Sequence, residues 1–177
     1  MLGGLIICVM RSFVLLLLIA NIELVAQKPS SRPAFEDYPV KEIYRGNAVS
    51  PQLSKDQRRY RTVIRTGAKS AVEFAGHYTI PRYGCGTGCN NFYIVDSITG
   101  KVYDGFDVGD LPFEWLEKQF DNLSERMEFH PNSRLLRINA CTYGTTAAAC
   151  GLYDYVLVDG KGLKLIRKQL LPKKFQN

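Results

Sequence analysis

The residues best suited to chemistry lie close together, in the stretch Tyr83-Gly84-Cys85-Gly86-Thr87-Gly88-Cys89. Its three glycines can adopt positive φ, and successive backbone N–H groups in such a turn can bind an anion. His77, Tyr78 and Arg82 come just before the stretch and could line a pocket with it. The pattern therefore predicts a binding site for an anionic or carbohydrate-like group, formed by His77, Tyr78, Arg82, Tyr83, Gly84, Gly86, Thr87 and Gly88.

A structural explanation of the same loop competes with this site. Glycines permit the tight turn that Cys85 and Cys89, four residues apart, need in order to meet in disulfide geometry. His77 is then a packed strand histidine and His130 a solvated turn residue. Both explanations fit the sequence.

Catalytic use of the two loop cysteines is less well supported. Thioredoxin-like proteins place Cys-x-x-Cys at the start of a helix in a βαβ unit, whereas a strand follows Cys89 here. A zinc site would need His77, eight residues before Cys85, and reduced thiols in an oxidising compartment. We therefore expect no metal, no cofactor and no catalytic residue. An envelope enzyme that uses His77 with Cys85 or Cys89, as a thiol oxidoreductase or hydrolase, is the alternative.

Other catalytic and cofactor motifs do not fit the chain. Gly84-x-Gly86-x-Gly88 lacks the strand and helix that frame a dinucleotide-binding turn, and the sequence has no P-loop and no Gly-x-Ser-x-Gly elbow. The acidic residues of the middle segment fall on predicted turns or strand ends, where aspartate commonly forms local hydrogen bonds. These residues are Asp96, Asp104, Asp107 and Asp110.

The N-terminal segment predicts export. Met10-Arg11-Ser12 followed by the apolar run Phe13–Ala20 has the form of a secretory signal, so translation could start at Met10. We predict a signal peptide over residues 1–26 and a periplasmic or secreted protein. An uncleaved membrane anchor is the alternative, although Glu23 disfavours a long span because charge is costly inside a bilayer.

The cysteine count favours two disulfides. Cleavage after Ala26 would remove Cys8 and leave Cys85, Cys89, Cys141 and Cys150. An even number in an exported chain suggests disulfides, with three possible connectivities. Because each pair is close in sequence, we favour Cys85–Cys89 with Cys141–Cys150, each contributing about 2–3 kcal/mol.

Length and composition indicate one globular domain. The chain has 177 residues, of which 46% are hydrophobic and 23% charged, which excludes a disordered chain, a fibrous repeat and a multi-helix membrane protein. We predict an extended lead-in over residues 27–49 and a single domain over residues 50–177. Lys and Arg number 23 against 17 acidic residues, a net charge of +6.

The residue pattern predicts an α+β fold. A helix over about Pro51–Thr66 would bury Tyr60 and Ile64, start at Ser50-Pro51 or at a Ser54–Gln57 capping box, and expose several arginines. Alternating segments after it predict an antiparallel β-meander of about six to seven strands, with a short second helix within residues 111–120. The exposed arginines are Arg58, Arg59, Arg61 and Arg65.

Several segments resemble a group of small exported bacterial proteins of unknown function. The resemblance rests on Phe74-Ala75-Gly76-His77-Tyr78, the Gly84–Cys89 loop, Asp96–Tyr103, His130–Leu136 and Tyr153–Lys161. It extends over roughly Arg58 to Ile166, and the glycine–cysteine loop is its most specific part. It implies an exported bacterial single-domain protein and no particular activity.

These observations predict a monomeric, disulfide-stabilised binding module, most concretely an inhibitor-like or immunity-like protein. The predicted contact surface is the glycine–cysteine loop with Arg82 and Tyr83. The partner would be another protein or an anionic envelope ligand. An exported protein does not meet nucleic acid, so the basic helix face does not predict nucleic-acid binding. Membrane contact would occur only through an uncleaved signal segment. A structural envelope component is a third possibility.

Overall fold

Antiparallel strands dominate the computed structural model, which describes residues 32–116, 126–143 and 149–176. The predicted signal peptide and residues 117–125 lie outside the described residues. The described part contains nine strands: β1 (Tyr78–Thr79), β2 (Arg82–Gly86), β3 (Cys89–Asp96), β4 (Val102–Asp104), β5 (Asp107–Gly109), β6 (Met127–Phe129), β7 (Leu135–Tyr143), β8 (Ala149–Val158) and β9 (Gly162–Leu170).

Strand β3 organises the first half of the sheet. Along one side it pairs with β2 at its start and with β1 at its end. Along the other side it pairs with β5 at its start and with β4 at its end. On each side of the long strand β3, two short strands thus take the place of one continuous partner: β2 and β1 on one side, β5 and β4 on the other.

Strand β7 organises the second half. It pairs with β5 and β6 on one side and with β8 on the other, and β9 completes the order β1-β3-β5-β7-β8-β9. The main core lies between the inner faces of the two halves: Phe92 and Ile94 of β3 belong to the same cluster as Leu136 and Ile138 of β7 and Leu157 of β8. Burial of such large apolar side chains is the main force that holds the halves together.

The opposite face of β7 and β8 carries a buried ionic network. Asp154 is fully buried and accepts a hydrogen bond from Arg167 Nη1 at 3.3 Å. Arg137 donates to Glu128 Oε2 at 3.2 Å, and its guanidinium lies 4.4 Å from the ring centroid of Phe35. Phe35 precedes the predicted domain start at residue 50, so a segment of the predicted lead-in packs on this face.

The α+β prediction is wrong, because the described chain is mostly antiparallel sheet. Two strands were missing from it. β2 is Arg-Tyr-Gly-Cys-Gly, with glycines that disfavour a strand, and β5 has only three residues. The sheet is not a plain meander either, since β5 joins β3 to β7 and β6 pairs with β7 alone.

The predicted long helix is also wrong in extent. A 3-10 turn at Gln57–Tyr60 leads into α1 (Arg61–Gly67), and a second short helix, α2, spans Phe113–Leu116. The helical segment starts after the Ser54–Gln57 capping box, in which Gln57 N–H donates to Ser54 Oγ and Ser54 N–H donates to Gln57 Oε1. No helix in the described residues is long and apolar enough to cross a membrane.

Residues before α1 hydrogen-bond to the rest of the chain at several points. Pro39 forms a bridge with Ser133, and Val49 N–H donates to Ser97 O at 2.9 Å. Further 3-10 turns lie at Phe35–Asp37 and Lys173–Phe175. The compact unit of the structure runs from Pro33 to Asn177.

Candidate functional site

Both disulfides lie at one end of the sheet. Cys85 bonds to Cys89 and Cys141 bonds to Cys150, which confirms that the chain is disulfide-bonded. The strand register places three of these cysteines in one row, because Cys89 is opposite Gly109, Gly109 is opposite Cys141, and Cys141 is opposite Cys150. We call this row, with the β2–β3 loop beside it, the disulfide end.

The β2–β3 loop is exposed at its tip and braced at its base. A side chain added at Gly84 or Gly86 would meet no atom within 4 Å. Gly88, in contrast, has φ +67°, and its carbonyl accepts hydrogen bonds from Asp110 N–H at 2.9 Å and Arg126 Nη1 at 3.2 Å. The loop is therefore an exposed turn that is closed by one disulfide and hydrogen-bonded to the residue after β5 and the residue before β6.

Arg126 is a member of this site that the sequence did not predict. Its Nε atom lies 2.8 Å from Asp110 Oδ1, so one guanidinium links the acidic residue after β5 to the loop carbonyl. The arginine is 38 residues from Gly88 in sequence and carries no motif. Only the pairing of β5 and β6 with β7 brings it here.

Arg82 faces a small cleft beside the loop. The cleft has a volume of about 210 Å³ and is lined by Arg82, Asn90, Val108, Arg126 and Met127. The Arg82 guanidinium lies 5.3 Å from the ring centroid of Phe129 and 3.8 Å from Glu73 Oε2. Both arginines of the cleft thus have a carboxylate partner, which lowers its net positive charge.

Large apolar side chains are exposed around the same end. Phe113 in α2 is 68% exposed, Tyr143 at the end of β7 is 43% exposed, and Leu170 at the end of β9 is 47% exposed. Tyr143 lies against Gly109, directly beside the row of cysteines. Exposed aromatic side chains are typical of protein-binding surfaces.

Tyr83, in contrast, packs on the other face of β2. Its ring stacks on Tyr60 and on Tyr93, with centroid distances of 4.4 Å and 5.9 Å. Burial raises the pKa of the Tyr83 hydroxyl, and hydrogen bonding to Tyr60 raises it further. Tyr83 therefore anchors helix α1 and the 3-10 turn before it to the sheet and does not face the cleft.

His77 and Tyr78 lie at the opposite end of β3, which we call the histidine end. His77 Nδ1 lies 2.9 Å from Asp96 Oδ1, and Tyr78 Oη donates to Asp159 Oδ1 at 3.2 Å. Burial would raise the pKa of Asp96, but hydrogen bonds from Thr99, the Ile98 N–H and His77 outweigh it and lower the pKa. Burial raises the pKa of Tyr78, and the charge of Asp159 raises it further.

At the histidine end, backbone groups of Gly76 and His77 are hydrogen-bonded to other parts of the chain. Gly76 N–H donates to Pro131 O at 2.7 Å, Ser97 N–H donates to His77 O at 2.8 Å, and Tyr44 N–H donates to Gly76 O at 2.7 Å. Three distant parts of the chain, around Tyr44, Ser97 and Pro131, therefore meet at one tripeptide, Ala75-Gly76-His77. A cleft of about 400 Å³ borders this cluster and is lined in part by His77, Arg134 and Asp159.

The segments that carry the resemblance divide between the two ends. Phe74–Tyr78 contacts Asp96–Tyr103 through His77, His130–Leu136 through Gly76, and Tyr153–Lys161 through Tyr78. Only the glycine–cysteine loop lies at the disulfide end. The eight residues predicted as one binding site are thus split between two ends, with Tyr83 on a separate face.

The register also separates His77 from the loop cysteines. Tyr78 is opposite Asp96, and Gly86 is opposite Cys89, seven residues earlier on β3. At about 3.3 Å per residue this is roughly 23 Å. A Cys–His catalytic pair or a zinc site shared by these residues is therefore incompatible with the structure. Asp107 does lie within 4.8 Å of both loop sulfur atoms, but these are bonded to each other and not available as thiolates.

Comparison with models of protein families, with curated proteins and with solved structures gives no match.

Proposed function

We propose that this chain is an exported, disulfide-stabilised binding module that contacts a partner protein with its disulfide end. The observation that carries the proposal is the combination, at that end, of a rigid exposed loop with exposed aromatic side chains. The loop supplies a fixed shape, and Phe113 and Tyr143 supply apolar area with few rotatable bonds.

The bracing of the loop supports binding by a preformed surface. One disulfide closes the tip, and Arg126 fastens Gly88 to Asp110. A loop that is already ordered loses little conformational entropy when it binds, so more of the contact energy is retained as affinity. Inhibitor-like and immunity-like proteins present such loops, and we propose this class for the chain.

The proposed compartment is the periplasm or the exterior. Two disulfides support it, because such bonds persist in oxidising environments and are rare in the cytosol. The resemblance to small exported bacterial proteins and the signal-like sequence at Met10–Ala20 favour the same compartment.

Site-specific photo-crosslinking in living cells tests the proposed surface. A photoreactive amino acid is placed at position 87, at the tip of the loop, and at position 55, an exposed lysine ahead of α1. We expect a discrete covalent adduct from position 87 and none from position 55. Tyr143→Ala should reduce the adduct by about tenfold or more, since loss of a central aromatic contact costs about 2 kcal/mol.

Two results would contradict the proposal. Equal adducts from both positions would indicate nonspecific contact, and a complete absence of adducts from position 87 in envelope and secreted fractions would indicate that the loop binds no protein. Free-thiol titration of the native protein tests for a thiol oxidoreductase that acts without His77, because such an enzyme must show a reactive cysteine in one redox state.

A further inference from the structure

Strand β9 forms a long free edge of the sheet. It pairs with β8 from Gly162 to Leu170, and no described strand pairs with its other side. An edge strand presents a row of unpaired backbone N–H and C=O groups, which another extended chain can pair with. Short strands, bulges, edge lysines or a covering segment usually limit this. β9 has a bulge at Ile166 and carries lysines, but it is nine residues long and exposed over most of its length.

Apolar side chains are exposed along this edge. Leu165 is 43% exposed and Ile166 is 37% exposed, and Leu170 at the end of the strand is 47% exposed. Leu165 and Ile166 are neighbours in the middle of the strand, so exposed apolar area lies beside the free backbone groups of the edge.

The net charge of the whole chain is concentrated here. Six of the 23 basic residues lie between Lys161 and Lys174, a stretch with no acidic residue, and the remaining 17 basic residues are balanced by 17 acidic ones. Arg167 Nη1 lies 3.3 Å from Asp154 Oδ2, whereas Lys164 and Lys168 are exposed. The edge therefore attracts negative charge, and its field is not cancelled by nearby carboxylates of its own strand.

We propose that β9 binds an acidic, extended polypeptide segment, which adds to the sheet as a further strand. Backbone groups would supply hydrogen bonds along the edge, and apolar and acidic side chains of the segment would contact Leu165, Ile166 and the lysines. This surface meets the disulfide end only at Leu170 and otherwise extends away from it along β9. It rests on the free edge and its charge and not on the function proposed above.

A second copy of the chain fits the edge poorly. It would bring the basic stretch Lys161–Lys174 against itself, and antiparallel pairing centred on Ile166 would place Lys164 of each copy opposite Lys168 of the other. Like charges directly opposite each other destabilise a strand pair. An anionic membrane surface would complement the positive charge of the β9 edge, but it would not pair with the backbone N–H and C=O groups of that edge. A polypeptide is therefore the better match.

A peptide-binding experiment with the full mature chain tests the proposal. The probe is a fluorescent peptide as long as β9, with alternating glutamate and valine, and its binding is followed by fluorescence anisotropy. The control peptide has the same sequence with every second amide N-methylated, which removes strand pairing and keeps the charge. We expect the control to bind at least about tenfold more weakly, as expected when several backbone hydrogen bonds are lost.

Protein variants test the charge contribution. Lys164→Glu with Lys168→Glu should weaken peptide binding by about tenfold or more, because it replaces attraction by repulsion at the edge. Lys55→Glu with Lys69→Glu makes the same change in net charge at exposed sites elsewhere and should leave binding within about twofold. Circular dichroism confirms that all variants are folded.

Hydrogen exchange locates the bound peptide. Slower exchange of β9 amides when the peptide is added supports strand addition. Equal binding of the N-methylated peptide, or protection elsewhere with none in β9, overturns it. Tighter binding to phosphatidylglycerol vesicles than to the peptide, abolished by the Lys164→Glu and Lys168→Glu changes, would show that the edge is a membrane-binding surface and would also overturn it.

Discussion

At the histidine end, Gly76 and His77 contact other segments of the chain, whereas at the disulfide end Gly84 and Gly86 face solvent. Gly76 and His77 use their backbone groups to join turns from distant parts of the chain, and the His77 side chain is bound to Asp96. Gly84 and Gly86 have open space around them. Glycine thus permits tight packing at the histidine end and leaves the loop accessible at the disulfide end.

The comparison shows how a glycine- and histidine-containing motif can be structural. Ala75 and Gly76 both have positive φ, at 47° and 84°, and a Cβ on Gly76 would lie 2.8 Å from Glu42 O. Glycine is required there by space and by backbone conformation. The residues at the histidine end already have partners, which favours the disulfide end as the binding surface.

The largest expected effect concerns the two disulfides. Cys141→Ala with Cys150→Ala should cost about 3–4 kcal/mol of unfolding free energy, because the bond closes the longer loop and lies in a buried cluster. Cys85→Ser with Cys89→Ser should cost about 2 kcal/mol, since the loop is shorter and Cys85 is exposed. Urea denaturation of both variants measures the difference, and an equal or reversed cost would contradict the assignment of a buried and an exposed bond.

A matched pair of glycine substitutions compares the ends directly. Gly76→Ala should cost about 2–3 kcal/mol, because alanine is strained at this φ and its Cβ would contact a backbone oxygen. Gly84→Ala should change stability by less than about 0.5 kcal/mol. Thermal unfolding followed by circular dichroism is the measurement. Similar melting temperatures for the two variants would show that the histidine end is not as tightly packed as the structure indicates.

Asp96 should make the histidine end sensitive to acid. Its pKa is lower in the folded chain than the ordinary value, so its contribution to stability is present above the unfolded pKa and is lost as pH falls through the folded pKa. Asp96→Asn should therefore cost about 1–3 kcal/mol at neutral pH, and the difference from the native chain should shrink as the pH falls below about 4.

Urea denaturation over a pH series checks this expectation. Asp56→Asn is the control, because Asp56 is exposed in the turn before the 3-10 segment Gln57–Tyr60. Its effect should be small at every pH. A constant difference between Asp96→Asn and the native chain across the series would show that the carboxylate charge is not the stabilising feature.

The smallest effect on stability is expected at the loop tip. Thr87→Arg should change unfolding free energy by less than about 0.5 kcal/mol, since the side chain is exposed. The same change should abolish partner crosslinking from a photoreactive residue at position 113, because it places a bulky cation on the proposed contact surface. Unchanged crosslinking at normal stability would exclude the loop tip from the interface.

Local patterns in the sequence predicted several features of the fold. The Ser54–Gln57 capping box and the buried face with Ile64 are both present, because they depend on residues within one or two helical turns. The burial of the long strands does not alternate strictly, since β7 and β8 are buried over most of their length and β9 is exposed over most of its length. β2 and β5 were missing from the prediction because a strand of three to five residues with glycines has no alternating apolar pattern.

The candidate site was predicted only in part. The exposed glycine–cysteine loop and Arg82 were recognised from their residue types, but Arg126 and Tyr143 reach the site through strand pairing alone. Tyr83 lies on the opposite face of β2 from Arg82, since adjacent residues on a strand point to opposite faces, and the sequence did not predict that strand.

The amino-acid sequence by itself favoured the two cysteine pairs that the structure shows, and it determined the concentration of positive charge near the C-terminus, because both depend on residues close together in the chain. Only the tertiary structure decided that His77 and the loop cysteines lie at opposite ends of β3 and that both disulfides share one end. Strand register sets those distances, and register is fixed by the packing of whole faces against the core, which no local pattern encodes.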